Sequence, residues 1–476
     1  MRIFLLLAFL HYAFSIKILM FNPGFGHSHM RFMGGIADIL IEAGHEITEI
    51  RSTLEWDLRW EGISKTKEIF EYPMDEKVAE LMASTKTDKG FMAMLWDQDM
   101  SPAKLSTMAH NMTLMFSRAC ENLVFETDLM SKLKDRHFDL GISEAFDDCG
   151  HGIFEAIGLK TVVTTSSSNI MDHQSIIFGV PRVPSYVPGS MSDTSEKMSI
   201  SERLSNAISS HFGANFFLQI CDSQSEIFKK HLGKDFPTLR EIMARSALLF
   251  TNTQPFIDFP KPTLYKVVDI GGIHIREKKV AALDKEWDTI LGKRRKPYCC
   301  PVRSMPDVQF IWKYEIDDLA SENLPENLHL SKWTPQTALL ADQRLSLFVT
   351  HGGLCSTIEI AYSGTPSLVI PLFADQSRNA QVLMRQKIAQ KYSKFEIKDG
   401  KKLAQAIKEM LDESSYKSNA ITLSNLLQSV PFKPKELLLR NVEFVAKFGS
   451  LPQLDPYGRG ENFKKSFQLS MMESLR

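Results

Sequence analysis

Residues 333–376 constrain this chain more than any other stretch. They run Trp333-Thr-Pro-Gln336, then Phe348-Val-Thr-His351-Gly352-Gly353, then through Glu359 and Gly364-Thr-Pro366 to Pro371-Leu-Phe-Ala-Asp375-Gln376. An apolar strand empties into a His-Gly-Gly turn, and a helix starts immediately after it. Two residues without side chains let backbone approach an anion, and the helix start offers unpaired N–H groups with partial positive charge. Ser356 lies in the first helical turn and can donate a hydrogen bond. A second strand, from Pro366 to Pro371, ends in Asp375-Gln376, a pair suited to sugar hydroxyls. Trp333 and Gln336 offer a flat face and an amide, which suit a nucleobase.

The rest of the chain sets the frame for this corner. At 476 residues it should hold two or three domains. A formal net charge of −1 gives no sign of a nucleic-acid partner. Arg2, the apolar run Ile3 to Leu10, and Ala13-Phe-Ser15 read as a signal peptide over residues 1–15, too short to span a bilayer. That places the mature chain in the secretory pathway, in the lumen of the endoplasmic reticulum, at its membrane, or secreted. Asn111-Met-Thr113 is then an acceptor sequon for glycosylation. The six cysteines show no CxxC or metal spacing, so they are expected as buried thiols rather than a disulfide framework. No apolar run reaches ~20 residues, so no transmembrane helix is expected.

Strands alternate with helices throughout, which argues for an α/β fold with doubly wound parallel sheets. In the first half, strands are expected at 16–21, 45–50, 140–143, 160–164 and 248–251, with helices near 30–43, 105–134 and 200–231. The Pro-rich segment 181–188 reads as a loop over a pocket. In the second half, strands are expected at 308–312, 328–330, 345–350 and 367–370, with helices at 355–363, 378–388, 400–412 and 434–447.

The string from Trp333 to Gln376 resembles the signature of the UDP-glycosyltransferase family, and within it the animal UDP-glucuronosyltransferases. The resemblance implies the GT-B architecture, two Rossmann-like domains facing each other across a cleft. Residues 16–278 would form the acceptor-binding domain, residues 279–450 the UDP-sugar-binding domain, and 451–476 a polar tail. The last helix would cross back to the first domain. On this reading Trp333 and Gln336 hold uracil, Glu359 the ribose, His351, Gly352, Gly353 and Ser356 the diphosphate, and Asp375 and Gln376 the sugar. The donor is UDP-glucuronate or UDP-glucose, the acceptor is small and lipophilic, and neither a metal nor a resident cofactor is implied. Homo- or hetero-oligomers are compatible with the sequence.

Ser28-His29 matches the place where the family carries its catalytic base, and His27 is the rival. His27 and His29 together would suit a metal, but no acidic or Cys partner stands nearby in sequence. The family's supporting carboxylate falls in Phe-Asp-x-x-x-x-Asp; here Phe138-Asp139-Leu-Gly-Ile-Ser-Glu144 puts Glu144 at that place, with Asp147 and Asp148 as alternatives. Other departures touch the donor side. Residues 297–305 lack the apolar strand that opens such a domain, so the second domain reads as internally truncated. Cys355-Ser356 stand where vertebrate members carry Asn-Gly, and the usual membrane anchor after residue 450 is absent. Two further readings follow: a non-catalytic or decayed paralogue, and an esterase using Ser28. The second lacks a Gly-x-Ser-x-Gly elbow.

Overall fold

A computed structural model describes residues 15–54, 59–85, 96, 102–275, 283–292, 302, 305, 307–314 and 324–457. The expected signal peptide up to residue 14, most of the gap at 297–305, and the tail beyond 457 lie outside the described residues.

The first unit is built on seven parallel strands: β1 (Lys17–Gly24), β2 (Glu46–Thr53), β3 (Glu68–Tyr72), β4 (Leu140–Glu144), β5 (Val162–Ser166), β6 (Leu248–Thr251) and β7 (Val267–Asp269), in the order β3-β2-β1-β4-β5-β6-β7. Strands β1, β4, β5 and β6 are almost wholly buried, because helices cover both faces. The order reverses between β1 and β4, where Phe21 sits opposite Ser143. Ligands of open α/β sheets bind in the crevice at such a reversal. Two short strands of this unit escaped the sequence reading, β3, in which Glu68, Ile69 and Glu71 are exposed, and the three-residue β7. The helix expected over 105–134 is two helices, Pro102–Phe125 and Thr127–Asp135, because Glu126 leaves the helical region at ψ 76. Asn111 of the sequon lies half-buried within the first of these, and Thr113 donates its hydroxyl to the Ala109 carbonyl at 2.8 Å.

The second unit carries two separate parallel sheets. One pairs β8 (Phe310–Lys313) with β9 (Leu328–Ser331); the other runs β10 (Phe348–Thr350), β11 (Ser367–Val369), β12 (Ala389–Lys391). A doubly wound sheet has the order 3-2-1-4-5-6. In that order β9-β8 stand as 3-2 and β10-β11-β12 as 4-5-6, and among the described residues no strand occupies the place between them.

The helix Pro434–Phe448 returns to the first unit, where Leu438, Val442 and Val445 bury against Ile18, Met33 and Ile36. Lys266, fully buried, pairs with Asp455 and anchors the chain beyond that helix.

The two units are clasped along the helix Gln376–Arg385. Arg378 donates to Asp258 at 2.6 Å and to the Pro188 carbonyl at 3.3 Å, so the Pro-rich loop is fixed by the second unit. Arg385 pairs with Glu196 at 2.6 Å, and Lys391 with Asp193. Burial pushes the Asp258 carboxyl up, but Arg378 and Lys261 overcome this and hold it at about 2. A depressed carboxylate contributes stability above its unfolded value of about 4, and that contribution fades as pH falls toward 2. Arg378→Ala leaves Asp258 buried with only Lys261 beside it. The expected loss is about 3 kcal/mol in unfolding free energy, read by denaturant titration at neutral pH, and smaller at pH 3. An equal loss at both pH values would show that packing, not charge, carries the effect.

The cysteine expectation needs correction. Cys120 and Cys149 form a disulfide between the helices Pro102–Phe125 and Cys149–Ala156, while Cys221 is a buried free thiol and Cys355 a half-buried one. Both bridged residues lie in one apolar cluster beneath β1 and β4, where close packing rather than sequence spacing brings them together.

Candidate active site

His29 stands in the first turn of the helix His27–Glu42, directly after β1, on a turn made at Gly26 with φ 75. Glu144 is the last residue of β4, the neighbour of β1, and its side chain is 1 % exposed. The reversal of strand order therefore brings the two together: His29 Nδ1 lies 2.8 Å from Glu144 Oε1. Asp147 and Asp148, the alternative partners, turn into the core instead. Asp147 accepts from Gln224 and from the Cys149 N–H, and burial pushes its carboxyl up to about 6. Burial likewise pushes Asp148 up to about 7.

A third residue completes this group. Ser167, just past β5, places its Oγ 2.6 Å from His29 Nδ1 and donates its backbone N–H to Glu144 Oε1 at 3.2 Å. It lies within Ser166-Ser-Ser168, a run without pattern, so nothing in the sequence marks it. Phe146 lies 4.7 Å from the His29 ring and stacks on Phe25 at 5.0 Å. Phe116 and Phe217 close around Phe146. The imidazole thus opens beside an aromatic wall. His27 is exposed on the same helix and takes no part in the group. No set of three His, Cys, Asp or Glu side chains is placed to hold a metal among the described residues.

The opposite wall is the His-Gly-Gly corner. Gly352 sits at φ 84, and a Cβ there would fall 2.6 Å from Val369. Gly353 caps the helix Leu354–Ser363, and a Cβ there would fall 2.7 Å from the His351 ring. Protein crowding around His351 makes its proton easier to lose, and Asp375 opposes this. Asp375 is itself pushed up by burial, against Asn379 and the charges of His29 and His351. It accepts from Asn379 at 3.0 Å, and Asn379 also donates to the Gly352 carbonyl. The charges of both imidazoles therefore reach Asp375. Gln376 has a different task from the one expected: its carbonyl oxygen accepts from the Leu372 and Phe373 N–H groups at 2.8 and 3.1 Å and pins the turn. Its NH2 group remains the part that can face a sugar.

Gln336, Ser356 and Glu359 form one network. Gln336 donates to Ser356 at 3.2 Å and to Glu359, and Thr337 donates to the other Glu359 oxygen at 2.7 Å. Trp333 is 68 % exposed, with Lys313 over its ring at 5.6 Å. Cys355, unexplained in the sequence, has a role at the domain junction. Asn252 donates to its sulfur at 3.9 Å and to the Ser167 carbonyl at 3.0 Å, linking the phosphate corner to the His29 group.

The chain as a whole is similar to known proteins. The family model described as "UDP-glucoronosyl and UDP-glucosyl transferase" matches residues 17–289 and 302–459. A Caenorhabditis elegans relative that carries the UDP-glucuronosyltransferase name ugt-56 is 30% identical, over 91% of this chain and 86% of its own length. UDP-glucuronosyltransferase 3A1 of Xenopus laevis is 26% identical, over 94% of this chain and 87% of its own. Among solved structures, Phytolacca americana UGT2 superposes with a TM-score of 0.57 at 14% identity, covering 91% of this chain and 100% of that one. The glycosyltransferase SnogD from Streptomyces nogalater gives 0.56 at 18% identity, covering 90% and 99%. These superpositions carry the GT-B fold, and the family match carries the rest. The chain belongs to the family of UDP-glucuronosyl and UDP-glucosyl transferases.

Proposed function

We propose that the protein transfers a hexosyl group from a UDP-sugar to a hydroxyl or amine of a small lipophilic acceptor, with inversion, and that His29 is the general base. The observation that carries this reading is the His29–Glu144 contact at the strand reversal, linked through Ser167 and Asn252 to Cys355 beside the Gly352-Gly353 corner. The acceptor rests against Phe146 and Phe25, which suits an aromatic or aliphatic body. Nδ1 is held by Glu144, so Nε2 takes the acceptor proton. The acceptor oxygen or nitrogen forms its bond to the anomeric carbon as the bond to the diphosphate oxygen breaks. The electron pair leaves on UDP, whose charge meets His351 and the N–H groups after Gly353. Asp375 and the Gln376 amide hold the sugar, Glu359 the ribose, and Trp333 and Gln336 the uracil. No step needs a metal. Glucuronate and glucose both fit a carboxylate–amide pair, with glucuronate favoured by the relatives' names. The reaction would take place in the secretory pathway.

The test is transfer from UDP-glucuronate and UDP-glucose to a simple phenol, followed as UDP release and product mass. Product with inverted anomeric configuration is expected from one of the two donors. A folded protein that binds UDP but forms no product from either would favour the second reading, a binder without transfer. The observation behind that second reading is the split of the second unit into two sheets.

A further inference from the structure

A cavity of about 40 Å³ lies where the Pro-rich loop meets the second unit. Its walls carry three cations, Arg182 and Lys261 from the first unit and Arg378 from the second. They are not equally matched. Arg378 donates through Nη2 to Asp258 at 2.6 Å and through Nε to the Pro188 carbonyl at 3.3 Å, and Lys261 pairs with the same Asp258. Arg182 makes no hydrogen bond or ion pair among the described residues. One carboxylate also lines the cavity. Asp172 starts the helix Asp172–Phe178, and neutral donors take both of its oxygens. Oδ2 accepts from the Ser190 N–H at 2.8 Å and the Ser190 hydroxyl at 2.7 Å, and Oδ1 accepts from the Ser210 hydroxyl. Burial makes the Arg182 guanidinium easier to deprotonate, and the Asp172 charge opposes this. The loop's other carboxylates are engaged elsewhere, Asp193 with Lys391 and Glu196 with Arg385. The cavity's cations thus face only Asp172 and Asp258, and the positive charge of one of them is left unmatched.

A guanidinium drawn out of bulk water without a partner is costly, and a cavity with polar walls does not stay empty. One water-sized group occupies about 10–15 Å³ of such space, so this cavity holds about three atoms of that size. Waters would fill the volume and leave the charge unmatched. A carboxylate group has three heavy atoms and matches both, and its two oxygens suit the planar fork of an arginine. Nη1 of Arg378 has no hydrogen-bond partner among the described residues and is a further donor. The structure assigns this cavity as a binding site for a small carboxylate, held by the Arg182 fork with Lys261 and Arg378 beside it. Pro181 lines the cavity and is exposed, so a ligand can enter from solvent. Arg182 belongs to the Pro-rich loop and Arg378 to the helix Gln376–Arg385, so the occupant bridges both units and tightens the clasp between them. None of the residues proposed to hold the UDP-sugar lines this cavity, so the site stands apart from the donor reading.

The experiment uses the full chain with acetate as the probe, exchanged for chloride at constant ionic strength. Saturation-transfer NMR on the acetate methyl reads binding, and thermal unfolding reads the linked stability. The parent is expected to give a saturable methyl signal and a rise in Tm of about 2 °C at saturation. Arg182→Gln should lose both while keeping the parent's far-UV spectrum. Arg182→Lys keeps the charge without the fork and should bind acetate about tenfold more weakly. A parent with no saturable signal overturns the assignment, and that result needs no variant. Equal acetate affinity in the parent and Arg182→Gln also overturns it, because the anion then sits elsewhere. Should Arg182→Gln fail to fold, Arg182→Lys decides: affinity equal to the parent's overturns the fork. A Tm that does not move when acetate replaces chloride overturns the claim that the occupant tightens the clasp.

Discussion

Replacing His29 with alanine is expected to lower kcat roughly a thousandfold and to leave UDP affinity unchanged. The base acts on the acceptor, and the first unit holds its ring through Glu144 at 2.8 Å, Ser167 at 2.6 Å and the Phe146 face. Removing it therefore takes away proton transfer in the transition state and little else, the case in which kcat falls and donor binding does not. Glu144→Gln tests the same idea from the other side. The amide keeps the shape but loses the charge that stabilises an imidazolium, and it can offer Nδ1 a hydrogen where an acceptor is needed. A loss between about a hundredfold and ten-thousandfold is expected. The two losses should not add, because both changes disable one unit. Steady-state rates with a phenol acceptor and calorimetry with UDP settle the matter. Transfer that survives His29→Ala removes His29 as the base and turns attention to His27.

The His29–Glu144 pair was legible through the family resemblance, which implies a base at Ser28-His29 and a carboxylate closing Phe138 to Glu144, and β1 and β4 are neighbours in the sheet. The donor corner was legible for a similar reason, since His351 to Glu359 is a contiguous run whose geometry is local. What stayed hidden depends on contacts between distant residues. Ser167 is one serine among three, and only the fold brings its hydroxyl to an imidazole 138 positions away. Cys120 and Cys149 are 29 residues apart with no motif between them. Arg378 reads as an ordinary helical arginine, and its partner Asp258 lies 120 residues earlier. Gln376 was paired with Asp375 for the sugar, but its side-chain Oε1 also holds the Leu372 and Phe373 N–H groups, a contact no spacing marks. Short strands were missed for a further reason. Three residues, as in β7 and β12, cannot display a period, so their pairing is decided by the strand beside them. The strand expected to be missing near 297–305 falls mostly outside the described residues; among those described, β9-β8 and β10-β11-β12 form separate sheets.

Gly352→Ala should weaken both donor binding and the fold, whereas Gly353→Ala should weaken only donor binding. The two glycines are adjacent, but their backbones differ. Gly352 has φ 84, a region that costs an L side chain roughly 1–2 kcal/mol. A Cβ there would also press on Val369 in β11 at 2.6 Å, in the small sheet that supports the corner. Either the turn flattens or β11 moves away, and both outcomes redirect the N–H groups at the start of the Leu354 helix. The expected result is a stability loss of about 2 kcal/mol and a fall in UDP affinity of more than about tenfold. Gly353 has φ −60, which any residue adopts, so alanine introduces no backbone strain. Its Cβ would meet His351 Nε2 at 2.7 Å, and that ring turns away from the diphosphate. Gly353→Ala should therefore unfold at the parent's denaturant midpoint yet bind UDP weakly. Comparing denaturant midpoints with UDP titrations for the two variants separates backbone strain from loss of an anion contact. If both variants keep the parent's affinity for UDP, the helix start is not where the nucleotide's phosphates dock, and the donor site must be sought elsewhere in the cleft.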